Sequence, residues 1–320
     1  MTEPDAVSII VEWDNVRFAD VTRGQRLLEM LRDQTREMPG VYEIAILYNE
    51  DAIDGSRLRE VADRALGLLK ARTHMVPTGG LAYYQLKNEG VRRTGGNLVV
   101  LVDSDVLPEA GWLRQLLQPF ADPAVDVVAG STYIEHEGLY GQAMALGWAM
   151  FPPRPATDGT LSATSWFFAN NVAFRRAVFE RHYFPEDLQQ SRGQCYRLAE
   201  ALRANGTAIY MSSSARAAHP APHGTAHFVR TAVCEGHDRF QYLRMRGALN
   251  AVTLSATARR VKQDVRRAWR AVVRRRAEVC MSLVRLPVAL ALVTSFYALC
   301  GMGEILARWA PGVVRRHFAL

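Results

Sequence analysis

Continuous apolar runs alternate with segments of helical spacing along the first hundred residues. The apolar runs are typical of strands buried on both faces, and they lie at residues 7–11, 42–48, 75–77 and 97–102. Between them, apolar residues recur every three or four positions over residues 22–37, 57–71 and 81–94. The pattern therefore predicts four strands joined by three amphipathic helices.

Strands and helices that alternate with short connections form a parallel sheet with helices on both faces, so we predict an α/β fold. Ligands of such sheets bind at the carboxyl ends of the strands. Asp103 and Asp105 directly follow the fourth apolar run. We therefore expect both carboxylates at the ligand-binding edge of the sheet.

The Asp103-Ser104-Asp105 motif places two carboxylates behind five apolar residues, where charge is costly unless it is compensated. Carboxylate oxygens near a substrate phosphate are the ligands that Mg²⁺ and Mn²⁺ prefer. The motif thus predicts a divalent-cation site. So short a motif also fits a strand-end turn in which an aspartate caps the next helix at Val106–Pro108.

The basic residues of the chain are concentrated in one segment. Of the 320 residues 49% are hydrophobic and 22% charged, which excludes a disordered or collagen-like chain. The net charge is +7, yet residues 259–285 alone hold ten basic and two acidic side chains, so the remainder is close to neutral. A solvated helix face or a surface for anionic lipid fits this segment. A nucleic-acid partner is not expected, because only Trp269 interleaves with the basic residues.

An uncharged segment of eighteen residues, Leu286 to Gly303, follows directly. This is the lower length limit for a helix that crosses a bilayer. Arg308, Arg315 and Arg316 come next, so both flanks are positive and give no orientation. A spanning helix, a re-entrant or in-plane helix and a buried core helix all fit. Anionic lipid attracts each Lys or Arg by ~1 kcal/mol, which favours a membrane surface as partner.

The location of the protein is predicted from its first residues and its cysteines. MTEPDAV has no basic stretch before an apolar run, so we expect no signal peptide and a position on the cytoplasmic face of the membrane. The four cysteines form no CxxC pair, which predicts reduced thiols rather than a zinc or disulfide framework.

Four segments carry a resemblance to a known family: VSIIVEWDN, the Lys87-Asn88-Glu89-Gly90 element, NLVVLVDSDVLP and FFANNVAFRRAVFE. Together they resemble family 2 glycosyltransferases, and the similarity covers residues 7–222. The resemblance implies the GT-A fold, an α/β fold with a mostly parallel sheet flanked by helices. It implies a nucleotide-sugar-binding half at 1–106, an acceptor-binding half at 107–235 and a helical, basic and hydrophobic tail at 236–320 that associates with the membrane.

The same resemblance implies a set of site residues. Nucleotide contacts fall on six of them, namely Val11, Glu12, Trp13, Asn49, Asn88 and Asp103. Asp105 is similar to the family's metal ligand, with Asp103 and His219 beside it, and the cofactor would be Mg²⁺ or Mn²⁺. Glu12-Trp13-Asp14-Asn15 departs from the family's Pro-Thr-Tyr-Asn. His219 equally fits an ordinary loop histidine.

The family's catalytic base comes from a Glu-Asp pair that opens a helix, and here Gln194 and Cys195 stand in its place. Neither is a good base for a sugar hydroxyl. The nearest acids are Glu186 and Asp187, so we predict the base among these two, although a solvated loop or a helix cap also accounts for them. The resemblance implies that Phe167 to Asn171 face the acceptor, whereas the rings of Phe167, Phe168 and Phe174 equally fit the core.

We therefore predict an inverting glycosyltransferase that moves a sugar from a nucleotide-diphosphate sugar to a glycan or lipid-linked acceptor. A second hypothesis is a protein of the same fold that binds the nucleotide sugar but is catalytically impaired, as the Gln194-Cys195 pair suggests. A nucleotidyltransferase is a third, but Glu12 to Asp20 contains no glycine for a phosphate loop.

Overall fold

The computed structural model describes residues 6–18, 21–67, 72–148, 150, 161–186, 193–248 and 252–318. The strands are β1 (Ala6–Glu12), β2 (Val41–Asn49), β3 (Arg72–Thr78), β4 (Leu98–Asp103), β5 (Leu107–Pro108), β6 (Val127–Ile134), β7 (Leu161–Thr164), β8 (Asn171–Arg175) and β9 (Ile209–His219). The helices are α1 (Val21–Arg36), α2 (Gly55–Leu66), α3 (Tyr83–Arg92), α4 (Trp112–Leu117), α5 (Gly138–Gly147), α6 (Arg176–Glu180), α7 (Gln194–Ala204), α8 (Gly224–Met245), α9 (Leu254–Arg275), α10 (Leu286–Trp309) and α11 (Pro311–Phe318).

These elements divide into two compact units. The first lies within Met1–Thr132, Pro153–Glu186 and Gln194–His219, and the second within Tyr133–Pro152, Asp187–Gly193 and Pro220–Leu320. The boundaries at residues 106 and 235, which separate the halves by function, stay a prediction.

The first unit is built on one sheet of strand order β3-β2-β1-β4-β8-β6-β9-β5, with β7 paired to β9. β3, β2, β1 and β4 run parallel, and β8 runs antiparallel to β4. Helix α3 packs on β1 and β2. Residues 98–103 of β4 are all buried, as expected of a strand covered on both faces. The predicted α/β fold is confirmed.

The predicted helix over residues 57–71 ends earlier than the apolar spacing suggested. The observed helix α2 begins behind Asp54, whose carboxylate accepts hydrogen bonds from the N–H groups of Ser56 and Arg57. It ends before Gly67, which has a φ of 50°, a conformation that favours glycine. Residues 68–71 lie outside the described part of the chain.

Strand register brings the polar strand ends together. In the parallel pairing of β1 with β4, Glu12 lies opposite Asp103. Antiparallel pairing of β8 with β4 sets Asn171 opposite Val102. At the far end of the sheet Leu107 pairs with Ala218, which brings His219 close to the residues that follow Asp103. Chemistry-bearing residues more than a hundred positions apart therefore meet at one edge.

The second unit is helical, and α10 packs against α8, α9 and α5 within it. Glycines permit the closest approach: a Cβ on Gly236 would lie 1.9 Å from the Cys300 carbonyl oxygen, and one on Gly303 would lie 2.2 Å from that of Val233. Glu304 is buried in α10, where it accepts hydrogen bonds from Thr257 and Arg260 of α9. The predicted C-terminal apolar helix is present, docked along one side on its neighbours.

Candidate active site

The carboxylate of Asp103 lies in a buried cluster of donors. Lys87 Nζ donates to Oδ1 at 2.5 Å, with both side chains almost fully buried. The Tyr83 hydroxyl donates to Oδ2 at 2.7 Å, and Asn15 Nδ2 donates to the same oxygen at 3.2 Å. A buried carboxylate persists only with such compensation. Both oxygens of Asp103 therefore already accept from protein donors.

Lys87 and Tyr83 were not among the predicted site residues. They lie four positions apart, so both project from one face of α3. The ammonium of Lys87 also lies 4.7 Å from the centre of the Tyr83 ring. A signal was available in the sequence, because Lys87 follows Leu86 on an amphipathic helix whose buried face has no room for an unpaired charge.

Glu12 lies beside this cluster at the end of β1 and is fully buried. Burial and the negative charge of Asp103 hold the pKa of the Glu12 carboxyl well above its ordinary value. Its Oε1 accepts a hydrogen bond from the N–H of Asn15 at 3.1 Å, which closes the turn after β1. Asp103 thus keeps Lys87 as its counter-charge while the proton is favoured on Glu12.

Asp105 and His219 form the second part of the site. Asp105 is 5% exposed, and its Oδ2 lies 3.6 Å from His219 Nε2. That separation is too long for a hydrogen bond. Arg23 of α1 anchors both ends of this pair through the backbone, since it donates to the carbonyls of Asp105 and Ala218. Arg23 is a positioning residue that sequence reasoning missed.

The predicted metal set is only partly brought together. Asp105 and His219 are neighbours, whereas Asp103 faces Lys87 and Tyr83. Across the described ranges, no group of three or more His, Cys, Asp or Glu side chains is arranged to hold a metal ion. A carboxylate oxygen nevertheless suits Mn²⁺ or Mg²⁺ when substrate oxygens complete the shell, and the imidazole nitrogen favours Mn²⁺ of the two.

The remaining residues that were predicted to contact the nucleotide take part in the packing and hydrogen bonding of the fold. Val11 is fully buried in β1. Trp13 is 2% exposed and packs on Gly24, where a Cβ would lie only 2.7 Å from its ring. Asn49 is half-buried at the end of β2, and its N–H donates to the Asp14 carboxylate at 2.9 Å. Asn49 and Asp14 thus lie at the edge expected for a nucleotide, while Trp13 holds α1 to the sheet.

Asn88 connects α3 to the loop that carries the predicted base. Its Oδ1 accepts from the N–H of Phe184 at 3.0 Å, and its Nδ2 donates to the Phe184 carbonyl at 2.8 Å and to Glu186 Oε1 at 2.9 Å. The side chain is fully buried. These contacts make Asn88 a positioning residue for the loop.

Glu186 is fixed by the same helix. Its Oε1 accepts from Asn88 and, at 2.6 Å, from Arg92 Nη2. The hydrogen bond from Asn88, with that from Arg92, lowers the pKa of the Glu186 carboxyl. A carboxylate stabilised in its charged form is a weaker base. Asp187 lies outside the described residues.

Gln194 and Cys195 open α7 and are both buried. Cys195 Sγ lies 3.5 Å from the hydroxyl of Tyr84. Burial raises the pKa of the Cys195 thiol to about 11, so the thiol is protonated at neutral pH. That neither residue replaces the family's acids stays a prediction.

The FFANN segment divides between core and surface. Phe167 and Phe174 are buried, as the core interpretation predicted. Phe168 is only partly buried and packs edge to face on the half-buried Trp166, with the two ring centres 4.6 Å apart. Asn171 is fully buried, accepting from Trp112 Nε1 at 2.8 Å and donating to the Ala215 carbonyl. Asn171 therefore holds β8 against its neighbours, and aromatic surface remains at Trp166 and Phe168.

The sequence profile described as glycosyl transferase family 2 matches residues 25–183, the region that contains Lys87, Asp103 and Asp105. The chain carries a family 2 glycosyltransferase domain. The predicted family and enzyme class are confirmed. A search of curated protein sequences gives no significant match.

Solved structures of glycosyltransferases share the fold of this chain. The mannosyltransferase PcManGT from Pyrobaculum calidifontis, in complex with GDP-Man and Mn²⁺, has 18% identity and a TM-score of 0.58, covering 96% of this chain and 88% of that one. S. aureus TarS 1–349 with UDP-GlcNAc has 16% identity and a TM-score of 0.52, covering 95% and 91%. GalNAc-T7 with UDP, GalNAc and Mn²⁺ has 14% identity and a TM-score of 0.50, covering 68% and 44%. At these identities the likeness concerns the fold.

Proposed function

We propose that the protein transfers a sugar, with inversion, from a nucleotide-diphosphate sugar to a glycan or lipid-linked acceptor, with the help of a divalent cation. The observation that carries the proposal is the Asp105–His219 pair at the carboxyl edge of a family 2 sheet. Three structures of the same fold contain a nucleotide or nucleotide sugar, and two of them contain Mn²⁺, which supports this donor class.

Asp105 Oδ2 and His219 Nε2 would hold the cation. Two donors that share one ion at about 2.1 Å each lie about 3–4 Å apart, so the observed 3.6 Å suits a shared ion. When bound, a divalent cation neutralises the charge that builds on a departing nucleoside diphosphate. Arg23 keeps Asp105 and the end of β9 in place through their carbonyls.

Asp103 forms a buried ion pair with Lys87 at the carboxyl edge of the sheet. With both oxygens already accepting from protein donors, it is better suited to orient its surroundings and to accept a further ribose hydroxyl than to bind the cation. Glu12 and Asn15 shape the turn above it. We therefore propose that the nucleoside lies along the ends of β1 and β4.

We assign the base to Asp187 in preference to Glu186, because the Glu186 carboxylate is engaged by Asn88 and Arg92 and its pKa is lowered. Asp187→Asn should lower kcat by about 10²–10⁴-fold, the usual contribution of a general base. Glu186→Gln should stay within a few-fold of the parent. The reverse ranking of the two variants would reassign the base.

The test of the activity is a donor screen of UDP- and GDP-sugars with the purified protein and Mn²⁺. Asp105→Asn should abolish both transfer and donor hydrolysis. Asp63→Asn, the same change on the exposed face of α2, serves as the matched control and should leave the rates unchanged. Undiminished turnover by the Asp105 variant would remove the proposed cation site.

The second candidate is a nucleotide-sugar-binding protein that has lost catalysis. It is favoured by Gln194 and the protonated, buried Cys195 at the position of the family's acidic pair. Calorimetry would separate the two: a donor sugar that binds with micromolar affinity but is never turned over, with any acceptor lipid or glycan, supports this second function.

We also propose that the protein works at the cytoplasmic face of a membrane. Leu283–Trp309 is long and apolar enough, by length and composition, to cross a bilayer. Its buried Glu304 and its close glycine contacts with α8 support an in-plane position instead. An in-plane protein should be released from isolated membranes by alkaline carbonate, whereas a spanning one would stay in the pellet.

A further inference from the structure

Helices α9 and α10 lie side by side and antiparallel in the second unit. Thr257 and Arg260 bond Glu304 towards one end, and Trp269 Nε1 donates to Thr294 at 3.0 Å towards the other. Between these two points the helices are joined by small residues: Gly301 leaves so little room that a Cβ there would lie 2.6 Å from Val261. Hydrogen bonds therefore link the two helices at two places, and the small residues between these places leave a shallow strip on the surface.

That strip is an open groove with a volume of about 800 Å³. Ala258, Ala298 and Gly301 line it as small residues, and Val261, Val265 and Ile305 add branched apolar walls. Its volume lies in the range of small-molecule sites, and the side chains that line it are mostly apolar. Thr257 also borders the groove, but its hydroxyl already donates to Glu304.

The rim of the groove is basic and aromatic. Lys262 and Arg266 border it from α9 and are exposed, and Trp269 borders it with 44% of its surface exposed. Cations above an apolar trough complement a ligand with an anionic head and an apolar tail. Tryptophan has a large apolar ring and one N–H donor, and it is enriched at the boundary between the hydrocarbon of a membrane and water.

We propose that this groove takes one acyl chain of an anionic lipid, with the lipid headgroup held by Lys262 and Arg266. The lining residues of α9 run from Leu254 to Trp269, about 22 Å of helix at 1.5 Å per residue. One acyl chain spans half of a hydrocarbon core of about 30 Å, or about 15 Å, so it fits lengthwise.

Other occupants suit the groove less well. A second copy of this chain would bring one basic α9 against another, and like charges repel. A peptide would bring backbone N–H and C=O groups against side chains that have almost no hydrogen-bonding partners to offer. An acyl chain needs no such partners. The proposal does not depend on the sugar-transfer activity.

Flotation of the full-length protein with vesicles tests the charged rim. Vesicles of phosphatidylcholine alone are compared with vesicles containing about a third phosphatidylglycerol, to which basic residues are attracted. Lys262→Glu/Arg266→Glu should lower the partition coefficient on anionic vesicles at least tenfold more than Arg259→Glu/Arg270→Glu does. The control pair makes the same change in net charge on exposed positions of α9 that do not line the groove. Equal losses would show general electrostatic adsorption and overturn the site.

A groove-filling variant tests the acyl chain itself. Ala298 is exposed and lines the groove, so Ala298→Phe adds apolar surface without entering the core. Insertion of a lipid chain predicts weaker vesicle binding by several-fold, because the ring occupies the trough. A plain apolar surface predicts tighter binding, and that result would overturn the proposal. Circular dichroism of each variant confirms the fold, and light scattering without vesicles detects a self-associated form, which would equally overturn it.

Discussion

The buried pair of Lys87 and Asp103 gives the sharpest test of how this site is held together. Lys87→Met keeps a long side chain but removes the only cation that contacts the Asp103 carboxylate among the described residues. Removal of one partner from a buried ion pair costs about 3–5 kcal/mol, because it leaves an uncompensated buried charge. With total stabilities of about 5–15 kcal/mol, the loss is a large fraction of the folding free energy.

The assay is urea unfolding of four proteins, namely the parent, Lys87→Met, Asp103→Asn and the double variant, at neutral pH without metal. Circular dichroism and tryptophan fluorescence are followed together, since coincident transitions support a two-state analysis. The double variant should lose less than the sum of the single losses, by about 1–3 kcal/mol, because each single change leaves its partner unpaired. The m-values should stay constant.

Arg93→Met provides the matched control. Arg93 lies on the same helix and pairs with Glu89 at 2.7 Å, but its side chain is 64% exposed. Exposed pairs of this spacing contribute about 0.3–0.5 kcal/mol. A Lys87→Met loss no larger than that of Arg93→Met, or single losses that simply add, would refute the argument that burial makes this pair essential.

Three further predictions follow from single side chains. Glu12→Gln removes a carboxyl whose pKa is raised well above its ordinary 4.5 in the folded protein. The parent therefore loses stability as pH rises from the unfolded-state pKa of this carboxyl through its folded-state pKa, by at most ~1.4 kcal/mol per pH unit. The variant lacks the carboxyl and should not show this loss. Unfolding curves with equal pH slopes for the two proteins would contradict this. Gly236→Ala should destabilise by about 1–3 kcal/mol or more, because its Cβ would lie 1.9 Å from the Cys300 carbonyl oxygen; a thermal midpoint unchanged from the parent would be the opposing result. Iodoacetamide at neutral pH should modify exposed Cys280 first and leave Cys195 protected, since burial raises the pKa of the Cys195 thiol to about 11. Mass spectrometry of the native protein measures the order of labelling. Early labelling of Cys195 would count against its buried, protonated state.

Much of the first unit was predictable from local pattern. An unbroken apolar run such as residues 98–102 makes a strand covered on both faces, and the direct succession of Asp103 and Asp105 puts them at its carboxyl end. The quoted motifs identified the family in the same way, because they are contiguous in sequence. Helix ends were less predictable, as α2 shows, since a cap such as Asp54 competes with the apolar spacing.

The partners of those acids could not be read from the chain. Lys87 meets Asp103, and His219 meets Asp105 across 114 positions, only because the sheet orders β1 beside β4 and pairs β5 with β9. Hydrophobic pattern specifies which face a residue takes, while register and packing decide which side chain it meets.

For the second unit, composition alone determined that a basic helix precedes an apolar one, and left three topologies for Leu286 to Gly303 open. Packing distinguishes the faces of α10: Gly236 and Gly303 allow α8 to approach, and Glu304 turns inward to α9. On another side, α10 and α9 together line the exposed groove. Contacts between helices distant in sequence produce this asymmetry, which is why it belongs to the tertiary structure.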